Sequence, residues 1–153
     1  MHSLLLPVSI VIPSKANLNG IQALINALYE GDAWASEILI IDSGNNLIRN
    51  PGELSLYLKG FPEKFRNTIK VIPQNTSLYP GEARNNGCRI SIYKWLAFLD
   101  VNTIPKSDWL ALSYEYACKN DCKVIFGSTQ YIGITNNQKL FISASYGERP
   151  IRT

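Results

Sequence analysis

Four short apolar runs, each stopped by a proline or an aspartate, constrain this chain more than any other feature. Val8–Ile12 closes at Pro13, and Ile38–Ile41 ends abruptly at Asp42-Ser43-Gly44. Ile69–Ile72 stops at Pro73, and Trp95–Leu99 ends on Asp100. Runs this short and this continuously apolar read as strands buried on both faces. Between them lie stretches with helical spacing: Ile21, Leu24, Ile25 and Leu28 after Asn19-Gly20, and Gly81 to Ile92 before the fourth run. Strands alternating with helices predict a three-layer α/β/α domain around a mostly parallel sheet.

The remaining segments are weaker. Asn45 to Asn67 reads as a loose region with a short helix around Leu54–Leu58. Pro105 is expected to open a helix that reaches Lys119, and Val124–Phe126 is expected to form a fifth strand. Gln130–Ile134 reads as a strand, and Leu140–Tyr146 fits either type. At 153 residues the chain predicts a single domain spanning residues 1–153.

Composition enters as a set of exclusions. With 46% apolar and 18% charged residues the chain is not of the disordered class. Its net charge of +3 comes from scattered basic residues, so no nucleic-acid partner is implied. Cys88, Cys118 and Cys122 with the single histidine His2 make no familiar zinc set, and an odd cysteine count predicts a reducing, cytoplasmic setting. The longest apolar stretch, Leu4–Ile12, is interrupted by Pro7 and is too short to span a bilayer. Membrane association is therefore expected only through parts outside this chain.

In an open parallel sheet, ligands bind beyond the carboxyl ends of the strands, which is where Asp42 and Asp100 stand. Each is expected at a rim rather than in the core, because each closes a run too apolar to accommodate a charge. Asp100 and Asn102 are two oxygen-bearing side chains one residue apart. They suit a hard divalent cation such as Mg²⁺ or Mn²⁺, or they simply form the turn before Pro105. Asp42 suits acceptance of an imide N–H from a base such as uracil, or it caps its own turn. Arg84 suits a base carbonyl or a phosphate, or it is an exposed helix arginine paired with Glu82 or solvent.

The order of these pieces carries more than any one of them. V-S-I-V-I-P-S-K at Val8–Lys15, E-I-L-I-I-D-S-G at Glu37–Gly44, G-E-A-R-N-N-G at Gly81–Gly87 and W-L-A-F-L-D-V-N-T-I-P-K-S-D-W-L at Trp95–Leu110 together resemble the family 2 glycosyltransferases. The resemblance covers about two thirds of the chain and matches loosely after Gly127. It implies a GT-A fold with a nucleotide-diphospho-sugar donor across the strand ends. It implies that Pro13 and Ser14 line the nucleotide pocket, that Asp42 reads the base, and that Arg84 lies near the nucleotide. Asp100 and Asn102 would contact ribose and the metal bound to the diphosphate.

Two departures qualify it. Asn102 stands where the family's aspartate-any-aspartate signature has its second acid, so a Mg²⁺ or Mn²⁺ site is expected to be weak. The family's catalytic base lies well downstream of that signature, and Glu148 is the only acid after Asp121. The base and the acceptor surface are therefore expected beyond Thr153, and the chain is read as the N-terminal donor-binding part. An apolar edge left where further residues would pack implies self-association.

The function so implied is transfer of a sugar, with inversion, from a UDP-sugar to a saccharide or lipid-linked acceptor in polysaccharide or glycoconjugate synthesis. The alternative is a glycosyltransferase-like module that binds a nucleotide or a partner without turnover. A dinucleotide-dependent dehydrogenase would need G-x-G-x-x-G after the first strand, and a nucleotidyltransferase a glycine-rich basic loop there. Pro13-Ser14-Lys15-Ala16-Asn17 is neither.

Overall fold

A computed structural model of the chain describes residues 4–44 and 51–130. Met1–Cys122 forms one compact unit and Lys123–Thr153 a second. Among its described residues the first unit holds four strands, β1 (Leu4–Ser14), β2 (Ala33–Asp42), β3 (Ile69–Pro73) and β4 (Trp95–Phe98). Its helices are α1 (Leu18–Tyr29), α2 (Pro51–Leu58), α3 (Glu63–Arg66), α4 (Pro80–Ile90) and α5 (Trp109–Lys119). The strands form one sheet in the order β3-β2-β1-β4, and every pairing is parallel.

Strand alternation divides the core between the two faces. Ile10 and Ile12 of β1 with Ile38 and Ile40 of β2 meet Ile21, Leu24, Ile25 and Leu28 of α1. Leu54 of α2, Phe65 of α3 and Leu110 of α5 join the same cluster. The opposite face presents Val11, Leu39 and Ile41, which pack on Ala83 of α4. These are the three layers that the alternating pattern predicts.

Helix α4 lies unusually close to the sheet. A Cβ added at Gly87 would come within 2.3 Å of Val11 Cγ1, so only glycine lets the helix backbone rest on the strand. The pairing of β1 with β2 shifts by one residue between Leu6 and Ser9, a bulge that takes in Pro7, which has no N–H to give the ladder.

Just past that bulge, Glu37 is buried yet fully supplied with donors. Its carboxylate accepts from Ser9 Oγ (2.6 Å), Lys70 Nζ (2.8 Å) and the Ile92 amide (3.0 Å). Burial pushes its pKa up, but the hydrogen bonds from Lys70, Ser9 and Ile92, with the Lys70 charge, outweigh that and hold it below the ordinary glutamate value. The Tyr93 amide donates to Ser9 Oγ (3.3 Å), so the same cluster fixes the turn from α4 into β4.

Three expectations change. Residues 51–67 are more ordered than their loose pattern indicates, because Phe65 is fully buried among Tyr29, Trp34 and Phe61. Helix α5 begins at Trp109 rather than at Pro105. Ser107 O accepts from the Asp32 amide (2.9 Å), and the Trp109 amide bonds Lys106 O in a turn, which holds residues 105–108 outside the helix. Val124–Phe126 is no strand: the described residues 123–130 of the second unit contain neither helix nor strand, and Phe126 is exposed. Three apolar residues without a pairing partner gain no ladder hydrogen bonds. Residues 131–134, 140–146 and 148 lie outside the described residues. Among the described residues no helix is long and apolar enough to cross a membrane.

Candidate functional site

The carboxyl ends of β1, β2 and β4 bring the sequence-predicted residues to one edge of the sheet. Pro13 pairs with Ile41 and Ser14 with Asp42, so the last residues of β1 and β2 lie side by side. Beyond them the chain is tightly folded. Ala16 has φ 55, a left-handed conformation that costs about 1–3 kcal/mol for a residue with a side chain. A Cβ on Gly44 would fall 2.3 Å from the Ala16 nitrogen, so the loops leaving β1 and β2 touch backbone to backbone. The Ser43 amide bonds Ser14 O (2.9 Å), and the Gln74 amide bonds Asp42 O (2.8 Å), bringing the end of β3 alongside.

Asp42 does not sit on a rim as its sequence position implies. It is fully buried. Nor does it cap its own turn: its Oδ1 accepts from the Ala16 amide at 3.3 Å, across from the β1 loop. Among the described residues, Asp42 Oδ2 and the neighbouring Ser14 Oγ have no hydrogen-bond partner, although both atoms are buried. Leaving a buried polar atom unpaired costs about 1–3 kcal/mol, which a ligand that supplies the missing donor would recover.

The β4 side is the reverse case. Asp100 is exposed and its carboxylate pairs with Arg84 of α4. Arg84 therefore does not pair with Glu82, whose carboxylate instead accepts from the Tyr79 amide (2.8 Å) and caps α4. The Thr103 amide closes the turn onto Asp100 O (2.9 Å), leaving the side chains of Asp100 and Asn102 to reach other elements. Asn102 Oδ1 accepts from Asn17 Nδ2 at 2.9 Å, while Asn17 Oδ1 caps α1 by accepting from the Gly20 amide, also at 2.9 Å.

Asn17 thus joins the β1 loop to the β4 turn, and sequence reasoning missed it. Its position ahead of the Ile21-Leu24-Ile25 period marks it as a helix cap. Its second partner, 85 positions away, leaves no local signal. Ala16, Gly44 and Gly87 were missed as well, since what they do depends on contacts between distant segments.

A hard cation fits this edge only in part. Asp100 and Asn102 offer oxygens of the right kind, but with one negative charge between them and both side chains already engaged. Among the described residues no group of three or more His, Cys, Asp or Glu side chains is placed to hold a metal. The donor set suits a cation held largely by a ligand's own oxygens.

Comparison with known proteins bears on the family and the fold of the chain. The sequence profile of Glycosyl transferase family 2 matches residues 9–152. No curated protein matches the chain significantly in sequence. Among solved structures, S. aureus TarS 1-349 superposes with a TM-score of 0.61 at 19% identity, covering 80% of this chain and 38% of TarS 1-349. The same protein in complex with UDP gives 0.62 at 17% identity, covering 82% and 38%. The mannosyltransferase PcManGT from Pyrobaculum calidifontis, in complex with GDP-Man and Mn²⁺, gives 0.62 at 16% identity, covering 72% and 32%. The chain therefore spans well under half the length of these proteins, and at such identities the likeness concerns the fold.

Proposed function

The chain belongs to glycosyl transferase family 2, and from that premise we propose that it forms the donor-binding part of an enzyme that moves a sugar from a nucleotide-diphospho-sugar to an acceptor. The observation that carries this reading is the bare, buried Asp42 Oδ2 beside the equally bare Ser14 Oγ, at the end of the sheet where such ligands lie. An ionised carboxylate only accepts, so the group that completes it must be a donor, and the imide N–H of uracil is one. The donor is proposed to be a UDP-sugar. A structural neighbour in complex with UDP supports that choice without extending it to the sugar.

Each residue then has a task. Pro13 and Ser14 form the floor beside the base, Asp42 accepts from it, and Arg84 reaches the diphosphate with its guanidinium fork. Asp100 and the Asn102 oxygen would hold a Mg²⁺ or Mn²⁺ ion in company with the diphosphate. Such an ion, when bound, stabilises the negative charge that gathers on the leaving nucleotide. Inversion at the sugar carbon needs a base that takes the acceptor hydroxyl's proton, and no described residue is assigned that task. The acceptor, a saccharide or a lipid-linked sugar of polysaccharide or glycoconjugate synthesis, the cytoplasmic setting and self-association through an apolar edge belong to the same proposal.

The engaged state of Asp100 and Asn102 favours a second reading, a module that holds the nucleotide without turnover. Isothermal titration with UDP, with and without Mn²⁺, tests both. Saturable UDP binding that is lost in Asp42→Ala is the expected result. Folded protein that takes up no UDP at millimolar concentration would refute the donor site in either reading.

A further inference from the structure

Both side chains that would meet a cation are already occupied by donors of the chain itself. Asp100 carries the Arg84 guanidinium, and Asn102 Oδ1 carries Asn17 Nδ2. The Asn17 amide cannot turn away freely, because its other end caps α1 at Gly20. Arg84 cancels the charge of Asp100, and Asn102 adds none, so the turn presents no net attraction to a cation.

The two contacts differ in how easily they break. The side chains of Arg84 and Asp100 are 35% and 64% exposed. Ion pairs this exposed typically change an equilibrium by about fivefold or less. A diphosphate offers Arg84 more charge and a bidentate partner, which makes it the stronger competitor. Once Arg84 turns to the phosphates, Asp100 is left with an unpaired carboxylate beside them.

We propose that Arg84 is a built-in counter-cation that occupies Asp100 until a ligand's diphosphate draws it away, so that an engaged nucleotide raises the affinity for a divalent cation. This rests on the donor-site reading above and adds a coupling between the two ligands to it. By linkage the coupling is reciprocal: cation and nucleotide each raise the affinity for the other.

The test is a cycle read without nucleotide. Free Mn²⁺ is followed by electron paramagnetic resonance as the full chain is added, in wild type, Arg84→Gln, Asn102→Asp and the double variant. Arg84→Gln alone is expected to tighten Mn²⁺ by about fivefold or less. In the double variant the gain is expected to exceed the product of the single gains by about tenfold, because a second carboxylate tells fully only when the guanidinium is gone. Arg84→Lys keeps the charge and is expected to leave Mn²⁺ uptake, read without nucleotide, at the wild-type level.

Gains that simply multiply, or no Mn²⁺ uptake in any form, would overturn the proposal. A UDP titration of wild type without metal separates the two levels. UDP uptake together with a multiplicative cycle removes only the counter-cation role, whereas absent UDP uptake removes the donor site and the coupling with it.

Discussion

Strand β2 buries two carboxylates five residues apart, and the chain treats them in opposite ways. Glu37 accepts from a lysine, a serine and a backbone amide and so ties β1, β3 and the turn before β4 to β2. Asp42 has one 3.3 Å contact with the Ala16 amide and a second oxygen with no partner among the described residues. Burial is equal at the two positions, so burial does not separate a structural acid from a binding acid. Hydrogen-bond supply does: a saturated buried carboxylate has no capacity left for a ligand, while an unsaturated one holds capacity at the expense of stability.

The contrast is sharpest under truncation. Glu37→Ala should cost about 3 kcal/mol of unfolding free energy at neutral pH, since it leaves Ser9 and the Ile92 amide without their acceptor. Urea denaturation measures it. The sign with pH follows from the lowered pKa: the contribution is complete above the unfolded glutamate value of about 4.3 and is lost as pH falls through the lower folded value. The stability gap between wild type and Glu37→Ala should therefore narrow as pH falls below about 4.3.

Asp42→Ala should do the reverse. UDP affinity is expected to fall about a hundredfold by calorimetry, while unfolding free energy changes by less than about 1 kcal/mol. A loss of stability as large as that of Glu37→Ala would erase the distinction between the two acids. Gly87→Ala is expected to destabilise by about 2 kcal/mol through overpacking against Val11, with a weaker effect on UDP than Asp42→Ala. The smallest change is Ser14→Ala, which removes a buried hydroxyl that has no partner. It should leave thermal stability equal or higher by about 0.5 kcal/mol and weaken UDP about threefold.

Much of the layer structure was legible because apolar runs of four or five residues ending in Pro or Asp leave few alternatives to buried parallel strands. The helix boundaries were less so, since Lys106 and Ser107 are diverted into a turn and a contact with Asp32 that no periodicity records. In the site, sequence placed Asp42 and Asp100 at strand ends correctly but could not tell that one is buried and the other exposed. Gly44 seated on Ala16 brings the loops leaving β1 and β2 together beside Asp42, a contact that spacing does not record. Glu37 did carry a local signal, a charge at the head of E-I-L-I-I, and only the arrival of Lys70 and Ile92 shows what it is for. The paired roles of Arg84 with Asp100 and of Asn17 with Asn102 cross helix and strand, which spacing along a chain does not encode.

Because a single amide group spans from the first turn of α1 to Asn102, whatever displaces Asn102 must also disturb the Gly20 N–H. That proton, though it contacts no substrate, is thereby a natural gauge of occupancy: its resonance and its exchange rate would register filling of the mouth from a distance.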